Sequence, residues 1–485
     1  MNLRSFLFLD ALALRVLTGL YLLTLFYVYL AFSLGTPICF DDCLGYISLM
    51  GLRWEDYLHT FWTTYRPWTV QVFFSLFGNY TLISASQIVL AQAFLGFLSW
   101  ILFAYSCRQL FSRPLSRAVA FILVSSLMFG QGYYHFNQRL LSDSLALTLV
   151  LTQFSLCLLS TRYLAWCDTQ QKSTKLYIGL YIALFVFVSA AEMAARDANI
   201  ALACIGGLMV LFYNRSTVFP AKYRRILITL MVCVALTQGV FAAKRHKLNA
   251  RNTLAGVVLP NEEMRTFFLA HGMPPALGDA GTRMKPQDLG HVNIDEMREQ
   301  VKTSVAIAPN YFRKFDRLYL WYLLMHPGYV IGNVIKYWPM IFDQNFQRNI
   351  ASVSLGNEPV FAKDVPGFML PVVSPGSLDV AFSDLVPWGI KLILVAAYLV
   401  YASFYGRTRA AFLPLIFLVA GSSNAVAAFF GDVWEAAEMA RHAFVGSVVL
   451  NIGIALSALY LLNAAIALFE KSDRLGLRAI RPDTK

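Results

Sequence analysis

Ten apolar runs punctuate this chain, at roughly 16–35, 80–106, 117–134, 143–164, 176–193, 198–213, 226–243, 385–405, 410–428 and 443–468. Each is near the ~20 residues that a helix needs to cross a bilayer. In hydrocarbon every backbone N–H and C=O must find a partner within the protein, so apolar runs of this length are restricted to helices. With 58% hydrophobic and only 14% charged residues, a soluble domain could not hide the apolar surface. The expected fold is therefore an all-α polytopic membrane protein with about ten transmembrane helices. The first run continues to about residue 34 without a small-residue cleavage site and reads as a span rather than a signal peptide. The weakest boundary lies between the fifth and sixth runs, where "AAEMAARDAN" interrupts them.

The distribution of positive charge orients the spans. With the N-terminus inside, the inner loops and tails carry 19 Lys and Arg, and the short outer loops carry 5. Such asymmetry marks the cytoplasmic face, so both termini are expected there. It also explains the net charge of +12 without nucleic acid, which is excluded as a partner. The segment 244–384 is too long and polar for a turn, and long loops escape the charge rule. It is expected outside, with a Gly- and Pro-containing first half followed by "RKFDRLYLWYLLMHPGYVIGNVIKYWPMIF". Pro327 and Pro339 interrupt that apolar, aromatic stretch, which reads as interfacial helices lying on the membrane. The domain plan is then an N-terminal transmembrane module of about seven helices (1–243) with a first external loop at 36–79. The external segment (244–384), C-terminal transmembrane helices (385–470) and a basic cytoplasmic tail (471–485) follow.

Rare charges gather at the outer ends of the spans. They are Asp41 and Asp42 in "TPICFDDCLGY", Arg66 in "TTYRPW", and Arg139 and Asp143 in "HFNQRLLSDSL". Glu192, Arg196 and Asp197 follow in "AAEMAARDAN", then Asp432, Glu435, Glu438, Arg441 and His442 in "GDVWEAAEMARHAF". Charges of both signs contributed by several loops at a membrane edge point to a shared polar cavity. The alternative is a set of local pairs, since Arg139–Asp143, Glu192–Arg196 and Glu438–His442 are each spaced i,i+4. Cys39 and Cys43 share the first loop; their spacing fits a disulfide poorly if the segment is helical. The other five cysteines fall in or beside spans as small apolar fillers, and no zinc-ligand spacing occurs. His135 and His326 read as hydrogen-bonded structural residues.

"DDCLGYISLMG" resembles the first external loop of the GT-C superfamily, membrane glycosyltransferases that use polyprenyl-phosphate sugars. That pattern has an acid, often with an acidic neighbour, then an aromatic four residues on and a short surface helix. Asp42 and Tyr46 match the spacing, and "YISLMGLRWEDYLHTFW" matches the helix. "YRPW", "NQRLLSDSLAL", "RDAN" and "ARH" are similar to further motifs of bacterial members. The resemblance implies an inverting transfer of a sugar from a polyprenyl-phosphate donor to an acceptor hydroxyl outside the membrane. The acceptor would be a glycan, lipid or protein. The implied location is a bacterial inner (plasma) membrane with the site facing the periplasm. Asp42, or Asp41, would be the base; Arg66, Arg139, Asp143, Arg196, Arg441 and His442 would line the donor phosphate or substrate site. A divalent cation on Asp41, Asp42 or Asp143 is compatible with oxygen ligands but not required. Two other classes compete. A transporter or lipid flippase also carries many spans and intramembrane charge, but no repeated halves or matched broken helices occur in this sequence. A polysaccharide ligase would place its key Arg and His in the large external segment.

Overall fold

A computed structural model describes residues 3–34, 50, 68–79, 81–129, 137, 142–169, 174–214, 219–245, 247–285, 294–342, 387–405, 412–431 and 436–479. The described residues contain helices and no strand. The first half comprises α1 (Leu3–Ser33), α2 (Trp68–Ser75), α3 (Leu82–Arg108), α4 (Pro114–Ser126), α5 (Ser142–Thr169), α6 (Thr174–Ala195), α7 (Ile200–Tyr213) and α8 (Ala221–Arg245). Each of the ten apolar runs is helical over nearly all its described residues. Among the described residues, six helices are long and apolar enough to cross a membrane, in α3, α5, α6, α8 and the two that close the chain. Four more are shorter apolar helices: Val16–Ala31, Pro114–Phe129, Asp197–Phe212 and Trp388–Phe404. The chain is thus a helical integral membrane protein.

Local chemistry sets the helix ends. Thr81 and Ser84 form a capping box at the start of α3, each side chain accepting from the other's backbone N–H. Arg108 in the last turn of α3 complements the helix dipole. Pro114 occupies the first turn of α4, where its missing N–H costs nothing. The "AAEMAARDAN" break is also local. Helix α6 ends at Ala195, Arg196 is extended (φ −158°, ψ 127°), and a single 3₁₀ turn at Asp197–Asn199 leads into α7.

The bundle core is aromatic. Trp100, Phe103, Phe154 and Phe185 are fully buried, and Phe417 brings its ring to 4.7 Å from Phe154. Phe417 belongs to α17 (Leu413–Gly431), which precedes α18 (Ala436–Ala479). At ~1.5 Å per residue, the 44 residues of α18 outreach the ~30 Å hydrocarbon layer. Around the perimeter, large apolar side chains are exposed: Leu17, Leu20 and Leu23 on α1, Leu180, Leu184 and Phe187 on α6, Val232, Leu236 and Val240 on α8. Apolar exposure on this scale marks a lipid-facing surface.

Helices α17 and α18 pack backbone to backbone through glycine. A Cβ at Gly421 would sit 2.3 Å from the Leu450 nitrogen, and one at Gly446 would sit 2.4 Å from the Ala425 nitrogen. Backbone atoms cannot step aside, so small residues are required here. Gly421→Leu or Gly446→Leu is expected to destabilise the bundle by about 3 kcal/mol or more, the upper range for overpacking. Gly239→Leu, with nothing within 4 Å of its Cβ, is the control. Thermal unfolding of the purified proteins in one detergent measures the difference.

Residues 247–342 build a second core. Its elements are α9 (Lys247–Thr253), a buried π turn at Leu254–Val258, α10 (Glu262–Ala270), α11 (Pro275–Gly281), α12 (Ile294–Ile307), α13 (Phe312–Met325), α14 (Pro327–Lys336) and α15 (Trp338–Phe342). The half that reads as polar and Gly/Pro-containing in sequence is therefore helical over much of its length. Asn261 caps α10 by accepting from the Met264 N–H, with Glu262 and Glu263 in the first turn. Phe268, Phe315 and Tyr322 fill the interior. Burial pushes the Tyr322 phenol up to about 12, and Glu263 beside it acts in the same direction. His326 is structural: its Nδ1 lies 2.9 Å from the Tyr322 carbonyl. The unit joins the bundle through Tyr337 against Phe429 (5.7 Å) and a hydrogen bond from Ser447 to the Phe342 carbonyl (3.3 Å). Helix α16 (Trp388–Tyr405) then returns the chain to the bundle.

Candidate functional site

The bundle has two chemically distinct ends. At one, Ser116 at the start of α4 donates to Asn463 Oδ1 of α18 (2.9 Å). At the other, several loops meet. Asp143 lies in the first turn of α5, where the helix dipole favours a carboxylate. Arg196 lies between α6 and α7. Its guanidinium Nη1 donates to Asp143 Oδ1 in an ion pair with both side chains buried. This pair joins the first turn of α5 to the break between α6 and α7.

The pairing decides one alternative. An i,i+4 bridge from Glu192 to Arg196 requires the helix to continue through both residues. Since α6 stops at Ala195 and Arg196 is extended, its side chain leaves the face that carries Glu192. Arg196 therefore reaches across to Asp143. Glu192 is left fully buried, with no hydrogen-bond partner on either carboxylate oxygen among the described residues. Asn199, in the adjoining 3₁₀ turn, is equally buried, and neither of its amide atoms has such a partner. Buried polar atoms without partners are rare enough in native structures to mark positions of interest.

Two contacts bring further elements to this end. Thr69 of α2 donates to the Ala191 carbonyl (3.0 Å), so the helix that closes the first loop is seated on the end of α6. Asn424 of α17 donates to the Ala198 carbonyl (2.6 Å), tying a late helix to the same turn. A fourth node lies beside them. Asn137 donates to the Tyr29 hydroxyl (2.9 Å) and to Ser33 Oγ (3.0 Å) of α1, and it accepts from Ser144 of α5. Ser99, Thr148 and Trp100 line the small cavity next to it.

Of the residues expected from sequence, Asp143 and Arg196 are thus brought together. Asp41, Asp42, Arg66 and Arg139 lie outside the described residues, as do Cys39 and Cys43. Arg441 and His442 fall in the opening turns of α18, but their side chains are outside the described set. Among the described residues no group of three His, Cys, Asp or Glu is arranged to hold a metal, and Asp143 is engaged by Arg196. Asn137, Asn199, Asn424 and Thr69 are not among the residues expected from sequence. For the asparagines a signal was available, since an amide inside or at the edge of an apolar run, as in "GSSNAVAAFF", needs a partner and so marks a polar contact between helices; the Thr69 hydroxyl carried none. Comparison with protein-family models, curated proteins and solved structures finds no match to this chain.

Proposed function

We propose that the protein is an inverting glycosyltransferase of the GT-C type. It moves a sugar from a polyprenyl-phosphate donor to an acceptor hydroxyl at the outer surface of the membrane. The observation that carries this reading is the buried Asp143–Arg196 pair, which joins the start of α5 to the α6–α7 break at the end of the bundle where α2 is seated.

The chemistry assigns roles as follows. The Asp42 carboxylate takes the proton of the acceptor hydroxyl as the oxygen attacks the anomeric carbon from the face opposite the phosphate. The new C–O bond forms while the C–O bond to the polyprenyl phosphate breaks. The leaving phosphate gathers negative charge, which arginines offset as fixed cations. A guanidinium carries five N–H groups in a rigid fork, a geometry that matches phosphate oxygens. The polyprenyl chain stays in the bilayer throughout. On this reading the bundle has ten spans, both termini are cytoplasmic, and 244–384 lies outside in a bacterial plasma membrane.

Two measurements test the proposal together. Lys285→Cys, at an exposed position of the external unit, should react with an impermeant thiol reagent in intact cells; protection in cells with reaction after lysis overturns the orientation. Purified protein given a radiolabelled polyprenyl-phosphate sugar and envelope extract should move label into an acceptor fraction. No transfer from any of a panel of polyprenyl-phosphate pentoses, hexoses and amino sugars overturns the reaction.

A second reading draws on Glu192. A buried carboxyl inside a candidate span is a feature of ion- and proton-coupled transporters. Glu192→Gln separates the two. A transporter loses coupled uptake with this change, whereas a transferase keeps its turnover.

A further inference from the structure

The external unit presents one face that its own core leaves uncovered. Helices α13 and α14 meet in an elbow at His326, which has φ −119° and ψ 63°. The His326 ring stacks on Tyr322 at 4.0 Å, and Pro327 starts α14, so the bend is held by packing. On the inner side of α13, Phe315, Tyr319 and Tyr322 enter the core. On the outer side Leu320, Trp321, Leu324 and Met325 continue into Ile331 and Ile335 of α14. Each of these six is between 51% and 69% exposed. Helix α14 buries no residue at all. A contiguous apolar face of this kind marks an interaction surface rather than ordinary exposure.

Two observations name the occupant. First, exposed cations stand at the two ends of the face, Arg317 on α13 and Lys336 on α14. Apolar side chains flanked by Lys and Arg suit acyl chains beneath phosphate headgroups. Second, the face runs into a membrane edge. Beyond α14, Trp338 lies 4.9 Å from Trp388, the first residue of α16, and Lys391 Nζ sits 4.6 Å over the Trp388 ring. Ile390, Leu392 and Ile393 of α16 are then exposed as lipid-facing residues. Clustered tryptophans at such a junction are typical of the headgroup layer. A second copy of the chain suits the face less well, because a two-fold contact would oppose cation to cation whichever way the helices run.

We infer that the α13–α14 elbow is a lipid-binding surface. It lies in the headgroup layer, with its six apolar side chains among acyl chains and Arg317 and Lys336 on the phosphates of anionic lipids. The inference stands independently of the reaction proposed above. It is tested on the full chain, made cysteine-free and reconstituted into nanodiscs containing phosphatidylglycerol. Nitroxide labels are placed singly at Leu324, Ile331 and Ile335, with Lys302 on α12 as a water-facing control. Oxygen, which enriches in lipid, should relax the three elbow labels more than a water-soluble nickel chelate does, with the ratio inverted at residue 302. Free access of both relaxants means a hydrated face and overturns the inference. Exclusion of both means a protein cover, whether a second copy or residues 343–386, and overturns it equally. Arg317→Gln with Lys336→Gln should lower the oxygen-to-nickel ratio at Ile331 in anionic discs but not in phosphatidylcholine discs. An unchanged ratio in anionic discs overturns the phosphate assignment.

Discussion

Asp42→Asn is expected to remove sugar transfer by roughly 10²–10⁴-fold, the range for losing a general base, while donor binding survives. The amide keeps the shape of the side chain and cannot take the acceptor's proton. Asp41 and Asp42 are neighbours, and successive residues on a helix point about 100° apart. If the loop is helical there, they cannot share one role. Asp42 lies four residues before Tyr46, a spacing that in a helix shares one face and that matches the GT-C pattern. Asp41 then falls on the N-terminal side, where a carboxylate caps free backbone N–H groups and favours the helix dipole. Asp41→Asn should therefore leave turnover near that of the parent and stability nearly unchanged, since Asn caps a helix as well as Asp does, whereas Asp41→Ala should cost about 1 kcal/mol. Assays with one purified lipid-linked donor and both variants decide the matter. An inactive Asp41→Asn beside an active Asp42→Asn reverses the roles. Activity in both removes the glycosyltransferase reading.

The parts of this protein that sequence made legible are those governed by local physics. Apolar runs of bilayer length placed every major bundle helix, because burial of backbone polar groups in hydrocarbon leaves no other conformation. The break at "AAEMAARDAN" was legible as a break for the same reason: it puts three charges into ten residues at the edge of an apolar run. Its consequence was not legible. Whether Arg196 bridges Glu192 or Asp143 depends on one residue's backbone, which turns extended at position 196 and swings the side chain toward α5. The Gly421–Gly446 contact was hidden likewise, since these glycines are 25 residues apart and no single helix pattern exposes their meeting. The second core, built by residues 247–342, was legible at its amphipathic end, where α13 and α14 carry apolar and aromatic residues around Pro327. Its polar half was not, because α10, α11 and α12 are short helices with small apolar faces that become a core only when stacked. Asn137 and Asn424 were legible as amides in apolar surroundings, but their partners Tyr29 and Ala198 lie far along the chain.

Breaking the Asp143–Arg196 pair from one side is expected to cost about 3–5 kcal/mol, because the remaining partner stays buried after losing this countercharge. Asp143→Leu strands a guanidinium that is 8% exposed, and Arg196→Met strands a carboxylate that is fully buried. Both should lower the thermal midpoint strongly. The double change should restore most of the loss, since apolar replacement of a buried ion pair is often neutral or stabilising. That recovery separates architecture from chemistry. If Arg196 serves the donor phosphate, the double variant is stable yet binds polyprenyl phosphate weakly and transfers little. A stable double variant that still binds the lipid phosphate as tightly as the parent makes the pair a purely structural staple. The phosphate would then fall to Arg66, Arg139 or Arg441. A double variant no more stable than the two single ones means that the pair's neighbours, not the pair alone, hold the two segments together. Thermal unfolding and lipid-phosphate binding on the same four proteins yield the coupling free energy between the two positions.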